Sequence, residues 1–183
     1  MRVVAGSARG RRLAVPPGTG TRPTSDRTRE AVFGRLDAWD VVVDARVLDL
    51  FCGSGALALE ALSRGAASAV GVEADRSAAR VAANNARTLG LPLEVVHDRA
   101  QRWLERPVED DDRLDLVLLD PPYELAEPVL AGLLRAVASR CAPGAVVVLE
   151  RSARSPDPTW PDGLLALQPR TYGETRVHFA EPA

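Results

Sequence analysis

Lysine is missing from this chain: all 23 of its basic residues are arginine. The replacement runs through positions of every kind, including ones with no ligand to bind, so it reads as a codon bias rather than a chemical demand. Cysteine and histidine are scarce as well. Cys52, Cys141, His97 and His178 are the whole set, and their spacing matches no zinc motif, so no metal is expected. Two thiols in so poor a background fit a reducing compartment. No apolar run is long enough to span a bilayer, and the N-terminus has no signal-peptide core, so a cytoplasmic protein without membrane contact is expected. A net charge of −2 excludes a protein that coats nucleic acid with its whole surface.

What is present is an ordinary globular composition, 46% hydrophobic and 26% charged over 183 residues, enough for one domain with a sizeable core. Its charge is unevenly spread. Residues 1–35 carry eight arginines against Asp26 and Glu30, a net +6, which leaves −8 for the remainder. A basic arm on an acidic body follows. Residues 2–5 and 12–15 predict a small β-hairpin around Gly6-Ser7-Ala8-Arg9-Gly10, and Pro16-Pro17-Gly18-Thr19-Gly20 reads as a linker. The expected organisation is therefore an arm over residues 1–20 and a catalytic domain over 21–183. Ser25 or Asp26 should cap a helix whose inner face is Val32, Phe33, Leu36 and Trp39.

Beyond residue 45 strand and helix patterns alternate. Strands are predicted near 46–51, 68–73, 93–97, 114–119 and 145–150, and helices near 55–64, 75–88, 99–105 and 125–140. Gly90 is placed to stop the second of these helices. Runs such as 116–119 are continuously apolar, as in strands covered on both faces. Residues 164–167 and 175–179, with Tyr172-Gly173 as a turn, predict an antiparallel pair at one sheet edge. The fold class is α/β: a Rossmann-like, doubly wound, mostly parallel sheet of seven strands. His178 falls in a predicted edge strand, and neither histidine has a catalytic setting.

Asp49-Leu50-Phe51-Cys52-Gly53-Ser54-Gly55 is an apolar strand running into a glycine turn and then a helix. Glycines belong where backbone bends sharply and a ligand approaches closely. The turn fits the loose dinucleotide fingerprint, but Asp49 would repel a pyrophosphate. Glu73 ends the second strand, where a carboxylate can accept from ribose hydroxyls. Asp98, followed by Arg99, ends the third and can accept from an adenine amine. Ammonium, ribose and adenine together point to S-adenosyl-L-methionine. Cys52, Ser54 and both turn glycines complete the predicted cofactor site. As helix caps these acids would need no ligand, but three at successive strand ends favour one.

Asp120-Pro121-Pro122-Tyr123 follows the fourth strand. Two prolines remove two backbone donors and leave carbonyls to face the crevice. Asp120 and the Pro121 carbonyl can accept the protons of an exocyclic amine, aiming its lone pair at a methyl donor, while Tyr123 stacks on the base.

On these residues the chain resembles the class I methyltransferases that modify exocyclic amines. It is most similar to the bacterial 16S rRNA (guanine(966)-N(2))-methyltransferase family. Arg2-Val3-Val4-Ala5-Gly6 with Arg9-Gly10-Arg11-Arg12-Leu13 looks like that family's opening. Arg22-Pro23-Thr24-Ser25-Asp26-Arg27-Thr28-Arg29-Glu30-Ala31-Val32-Phe33 resembles its most distinctive segment. Ala74 departs from the larger residue expected there. The resemblance implies methylation of a guanine N2 in small-subunit rRNA. It also implies RNA contact by the basic arm, with Arg22 to Arg29 near the cofactor cleft. Arg2, Arg9, Arg11, Arg12, Arg22, Arg27 and Arg29 are the expected RNA contacts. A monomer is expected. Two other readings stand beside this one: DNA adenine-N6 methylation, for which the chain has no separate sequence-reading domain, and a non-catalytic RNA-binding module. A nicotinamide dehydrogenase would leave Asp120 to Tyr123 without a role.

Overall fold

A computed structural model describes residues 1–16, 25–107 and 113–183. Its elements are α1 (Asp26–Ala38), β1 (Arg46–Leu50), α2 (Ala56–Ser63), β2 (Ser68–Glu73), α3 (Arg76–Leu89), β3 (Leu93–His97) and α4 (Ala100–Leu104). β4 (Leu114–Leu119), α5 (Glu127–Ala138), β5 (Cys141–Ser152), β6 (Leu164–Tyr172) and β7 (Thr175–Pro182) complete the chain. The seven strands form one sheet in the order β3-β2-β1-β4-β5-β7-β6. The first five are parallel, and β7 and β6 are antiparallel additions.

Both faces of the sheet are covered, which is why its central strands are apolar throughout. Val32, Phe33 and Leu36 of α1 pack with α2 and Ala86 of α3 on one face; Leu130, Leu134 and Val137 of α5 pack with α4 on the other. Ser25 caps α1 by accepting from Thr28 N, and Gly90 ends α3 in the left-handed region, as predicted. The chain leaves β1 toward β2 and β3, then returns to place β4 on the other side of β1. That reversal opens a crevice at the carboxyl ends of β1 and β4, where ligands bind in such sheets.

The N-terminal residues form a short antiparallel ribbon with one bridge, Arg2 to Arg12, supported by Val3 N to Arg11 O at 2.9 Å. It is fastened to α2. Ser7 N donates to the Ser63 carbonyl at 2.7 Å, and a Cβ on Gly6 would lie 1.7 Å from that oxygen, so only glycine fits there. Val3, Ala8 and Leu13 enter the core.

Two expectations need correction. β5 starts at Cys141 rather than near 145, because Cys141 already pairs with Leu114 before the register shifts to Leu116 and Val146. A local apolar pattern carries no signal of such an irregularity. His178 is not on an edge strand: β7 lies between β5 and β6, and His178 pairs with Leu149. Its surroundings are buried, and desolvation, with Arg176 and Arg151 near, holds its pKa below the ordinary value.

Candidate active site

The turn after β1 places three residues in the left-handed region: Phe51 at φ 66°, Gly53 at 53° and Gly55 at 79°. The two glycines do different work. A Cβ on Gly55 would lie 3.0 Å from Leu93 Cδ2 and 3.3 Å from Ala82 Cβ, so Gly55 lets α2 pack against its neighbours. A Cβ on Gly53 would meet nothing within 4 Å. Gly53 therefore borders open room, as a cradle for a ligand requires.

Asp49 is 1% exposed beneath this turn. Its Oδ2 accepts from Ala58 N at 3.0 Å, and its Oδ1 is buried without a hydrogen-bond partner. Burial, with Asp120 and Glu73 adding negative potential, raises its pKa to about 8 against the Ala58 hydrogen bond. Glu73 fastens the turn: Oε2 accepts from Gly53 N and Oε1 from Asp75 N, each at 2.8 Å. Asp98 accepts from Arg99 N at 2.9 Å and Arg106 Nη2 at 3.0 Å. Desolvation pushes its pKa up, but these donors and Arg102 outweigh it and leave the carboxyl below its ordinary value. Arg99 itself is exposed.

Cys52 lies under Gly71, where an added Cβ would sit 2.9 Å from its Sγ. Burial, then Asp49 and Glu73, push the thiol well above its ordinary pKa, so it shapes the turn and is no nucleophile. Ser54 is buried, its carbonyl taking Asn85 Nδ2 at 2.9 Å and its hydroxyl directed at Met1 Sδ at 3.6 Å. The ribbon thus reaches the cofactor turn directly.

Across the crevice, Asp120 follows β4 and Pro121 is buried beside it. The Pro122 carbonyl accepts from Leu125 N at 3.0 Å, a turn leading toward α5, and Tyr123 is 47% exposed. Asp120 and Tyr123 open onto a cavity of about 690 Å³. Its other walls are Ser25, Arg27 and Thr28 at the start of α1, Glu150 and Ser152 at the end of β5, Arg154, and the β6–β7 hairpin from Tyr172 to Thr175.

Glu150 is the residue that sequence reasoning missed. Strand register and alternation put Glu73, Asp49, Asp120 and Glu150 at the carboxyl ends of β2, β1, β4 and β5, on the face that carries α1 and α2. The signal was available: Glu150 closes the apolar run 145–149, as Asp120 closes 116–119.

Among the arginines, Arg2, Arg9, Arg11, Arg12 and Arg27 are exposed. Arg2 pairs with Asp26 at 3.5 Å, and Arg11 Nη2 donates to Thr88 O at 2.7 Å. Arg29 is a correction. Its side chain is 0% exposed, between Asp26 at 2.8 Å, Glu60 at 3.5 Å and the Arg2 carbonyl, so it holds the ribbon to the body and cannot reach RNA. Arg22 lies outside the described residues.

Sheet order, the glycine turn at the switch point and the acids flanking it define the class I methyltransferase fold. The model of the family described as "Conserved hypothetical protein 95" matches residues 1–181, and the chain belongs to that family. Ribosomal RNA small subunit methyltransferase D of Escherichia coli K12 is 43% identical over 124 residues, 67% of this chain and 60% of that protein. That match thus spans less than two thirds of the relative's length. The protein of the same name from Haemophilus influenzae is 33% identical over 178 residues, 94% of this chain and 89% of that one. The solved structure of Escherichia coli yhhF superposes with a TM-score of 0.85 at 33% identity, covering 100% of this chain and 97% of that one. Both of these curated relatives are named as ribosomal RNA small subunit methyltransferases.

The donor of class I methyltransferases is S-adenosylmethionine, and the residues present fit it. An orphaned buried carboxylate oxygen on Asp49, open room at Gly53 and a second acid at the end of β2 suit an ammonium, a close approach and a ribose.

Proposed function

We propose that this protein methylates the exocyclic N2 of one guanine in the 16S rRNA of the small ribosomal subunit. The observation that carries the reading is the division of labour along the sheet edge. Asp49 and Glu73 frame the glycine turn, while Asp120, one strand over, opens with Tyr123 onto a separate cavity. One side suits a cationic donor and the other a planar acceptor.

Bound S-adenosylmethionine supplies a methyl group on a positively charged sulfonium. In this reading the Asp49 oxygen that lacks a partner accepts from the ammonium, Glu73 from the ribose hydroxyls and Asp98 from the adenine amine. The backbone at Gly53 to Gly55, shaped by Cys52 and Ser54, admits the donor closely, with Arg99 at the rim. Asp120 and the Pro121 carbonyl accept the two N2 protons. Pro122 has its carbonyl engaged by Leu125, which supports assigning the amine to Pro121. Holding both protons draws the nitrogen toward tetrahedral geometry and turns its lone pair to the methyl carbon; Tyr123 stacks on the base and fixes the plane. A weak base suffices, because the N2 proton leaves after transfer has made the nitrogen acidic. Arg2, Arg9, Arg11, Arg12 and Arg27 contact phosphates, as does Arg22 by the family resemblance.

The test incubates small subunits lacking the modification with labelled S-adenosylmethionine and analyses the nucleosides. N2-methylguanine is expected, and its absence from a protein that binds the donor overturns the reading. Asp120→Ala should lower kcat by about 10²–10³-fold or more while donor affinity by calorimetry stays within a few-fold. An Asp120→Ala enzyme with full turnover would remove Asp120 from the mechanism.

A further inference from the structure

Glu150 is the one carboxylate of the strand-end row that this mechanism leaves without a task. It is 2% exposed, yet it lines the acceptor cavity with Asp120 and Tyr123, so it forms part of the cavity's floor. Leu119 and Leu149 are the last residues paired between β4 and β5, and Glu150 goes on to pair with Val177 of β7. Asp120 and Glu150 are the next residues outward on adjacent parallel strands, whose backbones lie about 4.8 Å apart. They share a face: Leu116 and Leu118 of β4 and Val146 and Val148 of β5, at the same alternation, pack in one core. The cavity's described lining comes from α1, the ends of β4 and β5, and the β6–β7 hairpin, not from β1 or β2. Glu150 is therefore on the acceptor side of Asp120, away from the donor turn.

A base entering this cavity meets two carboxylates side by side. Buried acceptors demand donors, and a mismatched lone pair there is costly. Guanine presents neighbouring donors on its Watson–Crick edge, N1–H and the N2 amine. Adenine and 2-aminopurine present a lone pair at N1. We propose that Glu150 selects guanine: its carboxylate accepts the N1–H while Asp120 and the Pro121 carbonyl hold N2. The inference rests on the guanine-N2 reading above. Glu150 makes and breaks no bond in it; it determines specificity and keeps the base in register, so that N2 rather than O6 meets Asp120.

The test replaces the target guanine by 2-aminopurine, which keeps the 2-amino group and lacks N1–H. Wild-type kcat/KM should fall on the order of 10³-fold, because a site built for a donor rejects an analogue without it. Glu150→Gln has nearly the same shape and can turn its NH2 to the N1 lone pair. Its activity on guanine should fall, its activity on 2-aminopurine should rise, and the selectivity ratio should shrink by roughly 10²-fold. A structural role would lower both substrates alike. Equal losses, no change in the ratio, or a wild-type enzyme that takes 2-aminopurine as well as guanine each overturn the assignment. The wild-type comparison needs no variant and decides even where Glu150→Gln fails to fold. Absence of N2-methylguanine on unmodified rRNA overturns the guanine reading and Glu150 with it. Normal N2 methylation with an unchanged ratio overturns Glu150 alone.

Discussion

Glu60 on α2 should be among the least replaceable residues outside the crevice. It is 0% exposed, and four groups converge on it: Val4 N at 2.8 Å, Ala5 N at 3.0 Å, Arg64 Nε at 2.8 Å and Arg29 Nε at 3.5 Å. Glu60→Gln keeps the volume and removes the charge. A carboxamide has one acceptor oxygen, so one of the two ribbon N–H groups loses its partner, at about 1–3 kcal/mol. Arg29 is left buried with Asp26, itself 38% exposed, as its nearest carboxylate. Breaking a buried pair from one side costs about 3–5 kcal/mol, and the retained Asp26 keeps the loss near the lower figure. The two losses together come to about 4–6 kcal/mol, against about 5–15 kcal/mol for a whole domain. Urea unfolding should show the midpoint falling sharply with little change in slope. Hydrogen exchange should show the amides of residues 3–13 opening first, because the ribbon hangs from this carboxylate. A Glu60→Gln protein within about 1 kcal/mol of wild type would refute the claim that this buried hub holds the ribbon.

Gly53→Ala and Gly55→Ala should separate function from stability. Both add a side chain at positive φ, at about 1 kcal/mol, but the Gly55 methyl also meets Leu93 and Ala82, so only Gly55→Ala should lose a further 1–3 kcal/mol or so in thermal melts; Gly53→Ala should chiefly weaken donor binding by calorimetry. Burial raises the Asp49 pKa in the folded protein from its ordinary value near 4 to about 8, so the unfolded chain holds fewer protons in that window and stability should fall as pH rises from about 4 to about 8. Asp49→Asn should flatten that slope in urea melts, and below pH 8 the binding of a cationic donor should release close to one proton, measurable by calorimetry in buffers of differing ionisation enthalpy. Replacing exposed Arg9, Arg11 and Arg12 together by Ala should reduce the slope of log affinity for RNA against log salt by about 2, with kcat unchanged at saturating RNA. An unchanged slope would take the ribbon out of the RNA interface.

Much of the sheet was legible because its central strands are buried on both faces, so residues 116–119 and 145–149 read as unbroken apolar runs. The glycine turn was legible because left-handed backbone at a ligand crevice needs glycine. Arg29 was not legible. It stands two residues from Arg27 on the same helix, and only the docking of α1 against the ribbon and α2 makes one a buried tie and the other an exposed cation. Contacts with Arg2 and Glu60 lie 27 and 31 positions away, beyond any local pattern. Glu150 was obscured by its neighbour. Glu150-Arg151 looks like a solvated pair, but alternation sends the two to opposite faces: Arg151, 3% exposed, meets Glu127 at 2.5 Å while Glu150 lines the acceptor cavity.

The strand-end acids also explain why a site this negative can persist. Parallel strands deliver their carboxyl ends to one edge, and alternation then decides which face each terminal side chain takes. Glu73, Asp49, Asp120 and Glu150 all take the same face of adjacent strands, so each lies in the field of its neighbours. Glu73 relieves its charge through the N–H groups of Gly53 and Asp75, which also sets the turn. Asp49 has one such bond and one orphaned oxygen, and its raised pKa records the deficit. A ligand bearing two positive centres supplies what the backbone does not. On the proposed reading the free protein meets this penalty by holding a proton on Asp49, and a cationic donor takes that proton's place. A neutral dinucleotide-type turn would store no such penalty, and a pyrophosphate would increase it. On the proposed reading these carboxylates favour a cationic donor over an anionic one.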